Sequence, residues 1–340
     1  MRSLRLQAGR LVLPACLSVL FGAAALAQSV VATIPMSGYV GSGAVDPAAH
    51  LVYLPTGYNG TYAQVTIVNE KTNTIAGYIN HLNTEWQTTT AALNLKTGLL
   101  YVGAEDAGLY IVNPKTGAVL GNVNVDAVSV AVNPLTNMIY VSDFYSTLYV
   151  IDGATDNIVA SIPINGIQNI AVNPVNNRIY AAVPYNPGKV AVIDGATDQI
   201  VAEPTAGSGL TFDVAVDPYR DTFYSADGNQ LSSSGAGTAS VFNGRTNTLT
   251  TAVSLTGLPV TVSDDPFTDT IYVSNYDTNA VDIIGGATNT QIGSIAVGQE
   301  PQYLTGDPIN KLLYVGCETP GVQGVNGGLA TYSVVVVKTR

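Results

Sequence analysis

Cysteine, histidine and tryptophan are nearly missing from this chain, with 2 Cys, 2 His and 1 Trp in 340 residues. That leaves little material for Cys/His metal chemistry and excludes a multi-histidine copper centre or a two-histidine catalytic mechanism. Charge is also sparse at 11%, and basic residues are the scarcer kind, 13 Lys and Arg against 24 Asp and Glu for a net charge of −11. The deficit of Lys and Arg opposes nucleic-acid binding, because affinity for nucleic acid comes mostly from cations on phosphates. Too few Glu, Lys and Arg are present for a coiled coil, and no stretch sustains a 3.6-residue apolar period, so helices are expected to be nearly absent. Disorder is excluded from the other side. The chain is 46% hydrophobic with a mean hydropathy of +0.25, whereas disordered chains are poor in apolar residues and rich in charge.

The first 27 residues read as an address. Arg2, Arg5 and Arg10 form a basic head, Leu11 to Ala25 is apolar, and Ala25-Leu26-Ala27 precedes Gln28, the layout of a signal peptide cleaved after Ala27. The apolar run falls short of the roughly 20 residues that span a bilayer. A lipoprotein role for Cys16 is disfavoured by Pro14 and by the short interval from Arg10. Residues 28–340 then form a single domain that keeps 10 basic and 24 acidic residues, a net charge of −14. Cys317 is its only thiol, so no intramolecular disulfide is available. No later apolar run is long and charge-free enough to span a membrane. The expected product is a periplasmic or secreted protein, monomeric and without membrane insertion after cleavage.

What the chain has in abundance is 34 Gly, 17 Pro and 19 Tyr, and they recur in order. Pro47, Pro134, Pro174, Pro218, Pro266 and Pro308 each precede a tyrosine by six residues (Tyr53, Tyr140, Tyr180, Tyr224, Tyr272 and Tyr314), and Leu95 holds the same spacing to Tyr101. The seven copies follow one another at intervals of about 40 to 48 residues, the period of a four-stranded propeller blade. Copy four shows the pattern: Asn169–Val172, a turn at Asn173-Pro174, Arg178–Val183, Lys189–Asp194, a turn at Gly195–Asp198, and Gln199–Glu203. Asn or Asp before Pro initiates a turn by accepting a backbone hydrogen bond while Pro fixes φ.

The two ends of the chain complement each other. Val30–Pro35 matches the fourth-strand segment Ile158–Pro163 but stands before the first complete copy, whereas the seventh copy stops after its third strand, Tyr332–Val337. The N-terminal strand is therefore expected to complete the last blade, giving an all-β, closed seven-bladed β-propeller of four antiparallel strands per blade. Closure of this kind removes two open sheet edges.

The pattern Ala-Val-Asn-Pro, Ile-Tyr-Val, Val-Ile-Asp and Thr-Asn-x-Ile over residues 30–337 resembles the YVTN-type β-propeller repeat of exported bacterial and surface-layer proteins. The motif stands as Ile139-Tyr140-Val141-Ser142 and Ile271-Tyr272-Val273-Ser274-Asn275. The resemblance implies binding of a ligand or protein outside the cytoplasm and no shared catalytic set. A WD40 assignment is disfavoured, since Trp86 is the sole tryptophan.

Within this scaffold the repeated tyrosines, each expected to need a hydroxyl partner, and the small residues three before each turn proline read as core. Asp152 and Asp194 read as turn caps, and His50 falls in a turn on the face opposite the variable loops. Binding is expected where the copies differ, in the second-to-third-strand loops and the blade-to-blade connections, which share one axial face. The former hold Tyr58, Tyr62, Glu105, Asp106, Asp143, Phe144, Tyr145, Tyr185, Asp227, Tyr276, Asp277 and Glu318. The latter hold Glu85, Trp86, Gln168, Phe212, Asp213, Glu300 and Gln302. Aromatics among acids suit a protein, a glycan or a cationic group.

Catalysis finds less support. The ring five positions before each turn proline reads Ser42, Thr90, Ser129, Asn169, Asp213, Thr261 and Tyr303. Asp213 and Asn169 are its weak metal candidates, too few for an oxygen-ligand site, and a metal-assisted hydrolase or lyase is the alternative they leave. No Gly-x-Ser-x-Gly elbow occurs, no cofactor motif is present, and Cys317, placed in a loop beside Glu318, reads as inert. The Gly/Ser-rich segments Ser232–Gly237 and Gly321–Gly328 precede no helix and so are not phosphate loops.

Overall fold

The computed structural model describes residues 28–57, 63–80, 82, 88–143, 145–228, 236–321 and 329–340. The segment read as a signal peptide lies outside them. So do Tyr58, Tyr62, His81, Glu85, Trp86 and Phe144, and most of the two Gly/Ser-rich segments. Among the described residues every regular element is a strand, and no helix is long and apolar enough to cross a membrane.

The strands form seven antiparallel sheets arranged as the blades of a β-propeller. Copy four is Ile170–Asn173, Arg178–Val183, Lys189–Asp194 and Gln199–Ala202. The first strand of each blade lies innermost, next to the first strands of its neighbours. Ser42 and Thr90 bridge blades one and two, and hydrogen bonds from Ser129 to Asn169, Asn169 to Asp213 and Val262 to Asp213 carry the contact round to blade six.

The ring closes through its first strand. Ser29–Met36 lies at the outer edge of the last blade, antiparallel to Thr331–Lys338, with Val30 opposite Val337 and Ile34 opposite Val334. Ile34, Val334 and Val336 are buried together with Val52 and Leu54 of blade one, so closure is sealed by apolar packing as well as by the ladder.

Each repeated tyrosine is buried in a second strand. Its cross-strand partner is always the small residue three before the proline: Ala44 faces Tyr53, Ala131 faces Tyr140, Ala171 faces Tyr180, and Thr305 faces Tyr314. A small side chain on the crowded inner strand makes room for the ring beside it. The hydroxyls are less uniformly satisfied than their burial suggests. Tyr272 accepts a 2.9 Å hydrogen bond from Gln28 Nε2, but Tyr101 and Tyr140 have no hydroxyl partner among the described residues. Burial pushes both up to about 12.

The short turns repeat one geometry. The Asn or Asp before each proline caps its own turn; Asn173 Oδ1 accepts from Val175 N at 3.0 Å and Asp217 Oδ1 from Tyr219 N at 2.8 Å. Three residues after the proline the backbone is left-handed in every copy, at His50, Gly98, Asn137, Asn177, Asp221, Asp269 and Lys311. Gly, Asn and Asp tolerate that region best, which explains their recurrence and gives His50 a structural post. Several of these residues also tie blades together: Asn94 Nδ2 donates to Asn137 Oδ1 and Asn133 Nδ2 to Asn177 Oδ1, both at 2.7 Å.

Three details depart from the repeat. The inner strand of blade one is broken into Tyr39–Val40 and Ala44–Asp46. Between them Ser42 is drawn out to pair with the inner strand of blade two, and a Cβ on Gly41 would lie 2.2 Å from the Thr89 carbonyl oxygen. The second strands of blades five and seven run long, Thr222–Gly228 and Leu312–Thr319, so Asp227 and Cys317 sit in strands instead of loops. Cys317 is buried, and burial, not Glu318, pushes its thiol up to about 11.

Candidate functional site

The axial face gathers both classes of variable loop around the channel mouth. Two adjoining clefts of about 400 and 150 Å³ share Gln168, Asn169 and Tyr303. The larger adds Pro184, Leu210, Phe212, Val260, Thr261 and Gln302, and the smaller adds Ser42, Thr89, Thr90, Glu105 and Val128. Side-chain amides, hydroxyls and two aromatic rings therefore converge there with Leu210, Val260 and Val128. Tyr303 is braced edge-to-face by Tyr39, with ring centroids 5.6 Å apart, and burial raises both phenol pKa values. Tyr39 escaped the sequence reading because the break after Val40 removes it from the repeat pattern.

Beneath the clefts lies Asp213. Its Oδ1 accepts hydrogen bonds from Val214 N at 2.8 Å and Asn169 Nδ2 at 2.6 Å, and its Oδ2 accepts one from Val262 N at 2.8 Å. Asn169 Oδ1 in turn accepts from Ile170 N and from the Ser129 hydroxyl. Burial pushes Asp213 up to about 7, against the lowering effect of its N–H donors. The two residues singled out as metal candidates thus spend their oxygens on hydrogen bonds within the protein, Asp213 on Asn169 and the backbone and Asn169 on Ser129 and the backbone, clamping four adjacent inner strands. Among the described residues no group of three or more His, Cys, Asp and Glu is placed to hold a metal ion.

The other predicted residues divide by what their side chains touch. Tyr145 and Tyr185 stand exposed on the rim. Tyr276, Asp277, Glu300 and Glu318 gather at one edge, where burial and then the Glu300 carboxylate push the Tyr276 phenol up to about 12. Burial and Glu300 likewise raise Glu318, which accepts a 3.1 Å hydrogen bond from Gln302 Nε2 and so joins this edge to the larger cleft. Asp143 turns inward and holds its own loop, accepting from the backbone N–H groups of Tyr145, Ser146 and Thr147. Asp227 is buried among Thr211, Ser225, Thr238 and Ser240, all four donating to it. Neither reaches a ligand from there.

Charge is segregated between the two faces. Among the described residues, Lys189 is the only Lys or Arg at the axial end of a strand. Every other Lys and Arg lies in or beside the short turns of the opposite face, as with Lys96, Lys115, Arg220 and Arg245. Glu105, Asp277, Glu300 and Glu318 therefore lie on the axial side with Lys189 as the one Lys or Arg near them among the described residues.

No protein-family model matches the chain, and no curated protein is similar to it in sequence. Among solved structures it is similar to Kuenenia stuttgartiensis hydrazine synthase, with a TM-score of 0.70 and 15% sequence identity over 81% of this chain and 91% of that one. At that identity the likeness is one of fold, and together with the seven four-stranded blades it makes this chain a seven-bladed β-propeller.

Proposed function

We propose that this protein is an exported, non-catalytic propeller of the YVTN-repeat type. Its axial loop face would bind a protein, glycan or other envelope ligand that presents positive charge. The observation that carries this reading is the segregation of charge: carboxylates and aromatic rings share the axial face with Lys189 as the lone cation, over clefts lined by Gln168, Asn169, Phe212, Gln302 and Tyr303. Rings supply stiff apolar area and attract cations through their faces, amides fix orientation, and the uncompensated carboxylates steer a cationic partner inward. Cleavage after Ala27 would deliver the folded ring to the periplasm or beyond.

The test immobilises the protein and measures retention of components of its own cell-envelope extract. Tyr185→Ala and Gln302→Ala are expected to lose retention, Leu135→Ser on the opposite face to keep it, and added salt to weaken it in the wild type. Equal retention by all variants at every salt concentration would remove the axial face from consideration.

A further inference from the structure

The residue that follows each turn proline is not part of the core, yet in five of the seven copies it is a large apolar side chain, and in blade two Leu95, which replaces the proline itself, is exposed just before Lys96. Leu95, Leu135, Val175, Tyr219, Phe267 and Ile309 are each between 60% and 70% exposed. All six stand in first-to-second-strand turns, hence on one face, as a crown around the end of the channel opposite the clefts. Tyr219 and Phe267 touch, with ring centroids 6.1 Å apart. Blade one carries Ala48 after its proline, and there the crown opens into a cleft of about 720 Å³ walled by Leu51, Tyr53, Leu93, Leu95 and Ile309. A monomer is what the sequence alone suggests, because this crown exists only once seven distant turns are brought onto one face.

We infer that this face binds a second copy of the chain, face to face, with Tyr219 and Phe267 of each copy seated at the Ala48 cleft and the adjoining Ile309 of the other. The exposed area fits such a contact. The six side chains expose roughly 700 Å² of apolar surface per copy, close to the ~800 Å² per partner of a specific interface and above the largest patch most monomers leave uncovered. The face is also self-complementary. A two-fold contact uses one patch twice; with the axis through Leu135, the bulkiest position, Tyr219, meets the smallest, Ala48. Phe267 then meets Ile309, and Val175 meets blade two, where Leu95 stands one residue earlier in the turn than the other crown residues. Electrostatics point the same way, since Lys96, Lys115 and Arg220 offset carboxylates on this face while the axial faces repel each other.

Sedimentation of the full chain at roughly 100 μM, above the micromolar dissociation constants that interfaces of this size reach at worst, is expected to give twice the monomer mass. Phe267→Asp and Ala48→Trp, one removing the knob and the other filling the hole, should each weaken the dimer at least about tenfold. Tyr185→Ala on the axial face should leave it unchanged. These side chains lie on the surface, so far-UV circular dichroism and melting should match the wild type. A monomeric wild type overturns the inference, including one that instead adsorbs to lipid vesicles. So does a dimer indifferent to either substitution.

Discussion

Asp264 offers the most demanding test of how this ring is held together. At the position two before the turn proline the other blades place Val45, Leu93, Val132, Val172 and Val216, with Gly306 in the seventh; only blade six places a carboxyl there. Asp264 lies on the inner strand Pro259–Asp265, opposite Ile271, and neither carboxyl oxygen has a hydrogen-bond partner among the described residues. Burial, followed by the charges of Asp217 and Asp265, pushes it up to about 8, with Arg220 opposing only in part. An unfolded aspartate titrates near pH 4. Between those values the native state holds a proton that the unfolded chain releases, so the stability linked to that proton is complete below about pH 4 and is lost as the pH rises through about 8. The full four-unit difference corresponds to roughly 5 kcal/mol; relaxation and water entry at a partly accessible site reduce this to about 2 kcal/mol. Asp264→Asn removes the titration while keeping the shape. Urea unfolding is therefore expected to give variant and wild type similar stability at about pH 5, and a variant more stable by about 2 kcal/mol at about pH 9. Asp264→Val, which restores the repeat, should follow the same trend. A variant equally destabilised at both pH values would refute the reasoning, because the carboxylate would then be supplying a bond that the charge argument omits.

Two further outcomes follow from the closure and the turns. Ile34→Asp places a charge in the sealed seam between the N-terminal strand and the last blade, and is expected to cost about 3 kcal/mol or more and to lower the melting temperature, read by calorimetry. Asn177→Ala removes both tolerance of the left-handed backbone and the acceptor for Asn133, at an expected cost of about 1–2 kcal/mol in urea unfolding, whereas Asn177→Gly should cost less because only the bond is lost.

Much of the fold was written in the spacing from proline to tyrosine. That interval fixes the turn and the core residue of each blade together, and the duplicate of a fourth strand at Val30–Pro35 announces the closure. What escaped was whatever the repeat does not encode. Nothing in Gly41-Ser42-Gly43 says that the inner strand will break to reach blade two, since the cause is Thr89 on another blade. Asp227 and Cys317 looked like loop residues because blades five and seven extend their second strands past the usual length. The candidate site was legible as a face but not as a cleft: Phe212, Gln302 and Asn169 belong to different blades, and their convergence with Tyr39 and Tyr303 depends on the ring being closed. Asp213 and Asn169 were visible as polar residues at the mouth, but composition cannot distinguish an open ligand set from a hydrogen-bonded clamp.

The outer rim explains why the two faces are left to carry interaction. Seven outer strands present seven unpaired edges, and none contains Asp, Glu, Lys or Arg, so the usual defence of charged edges against strand addition is missing. Geometry takes its place. Every outer strand carries a bulge against its third strand, between Val30 and Ala32, Val119 and Gly121, and at the matching place in the other five blades. An extra residue there bends and twists the edge so that a partner strand cannot follow its ladder. The same device accounts for the exposure of Leu120, Val159 and Ile292, which are the inserted residues themselves and are turned outward by the bulge. They lie round the circumference, one to a blade, with exposed neighbours such as Val119 and Ile158 on the same edge strands, whereas the six apolar residues of the turn crown share one face, where Tyr219 and Phe267 touch. Exposure of comparable degree therefore has different consequences on the two surfaces. On the rim it accompanies a feature that blocks association, and on the turn face no such feature intervenes.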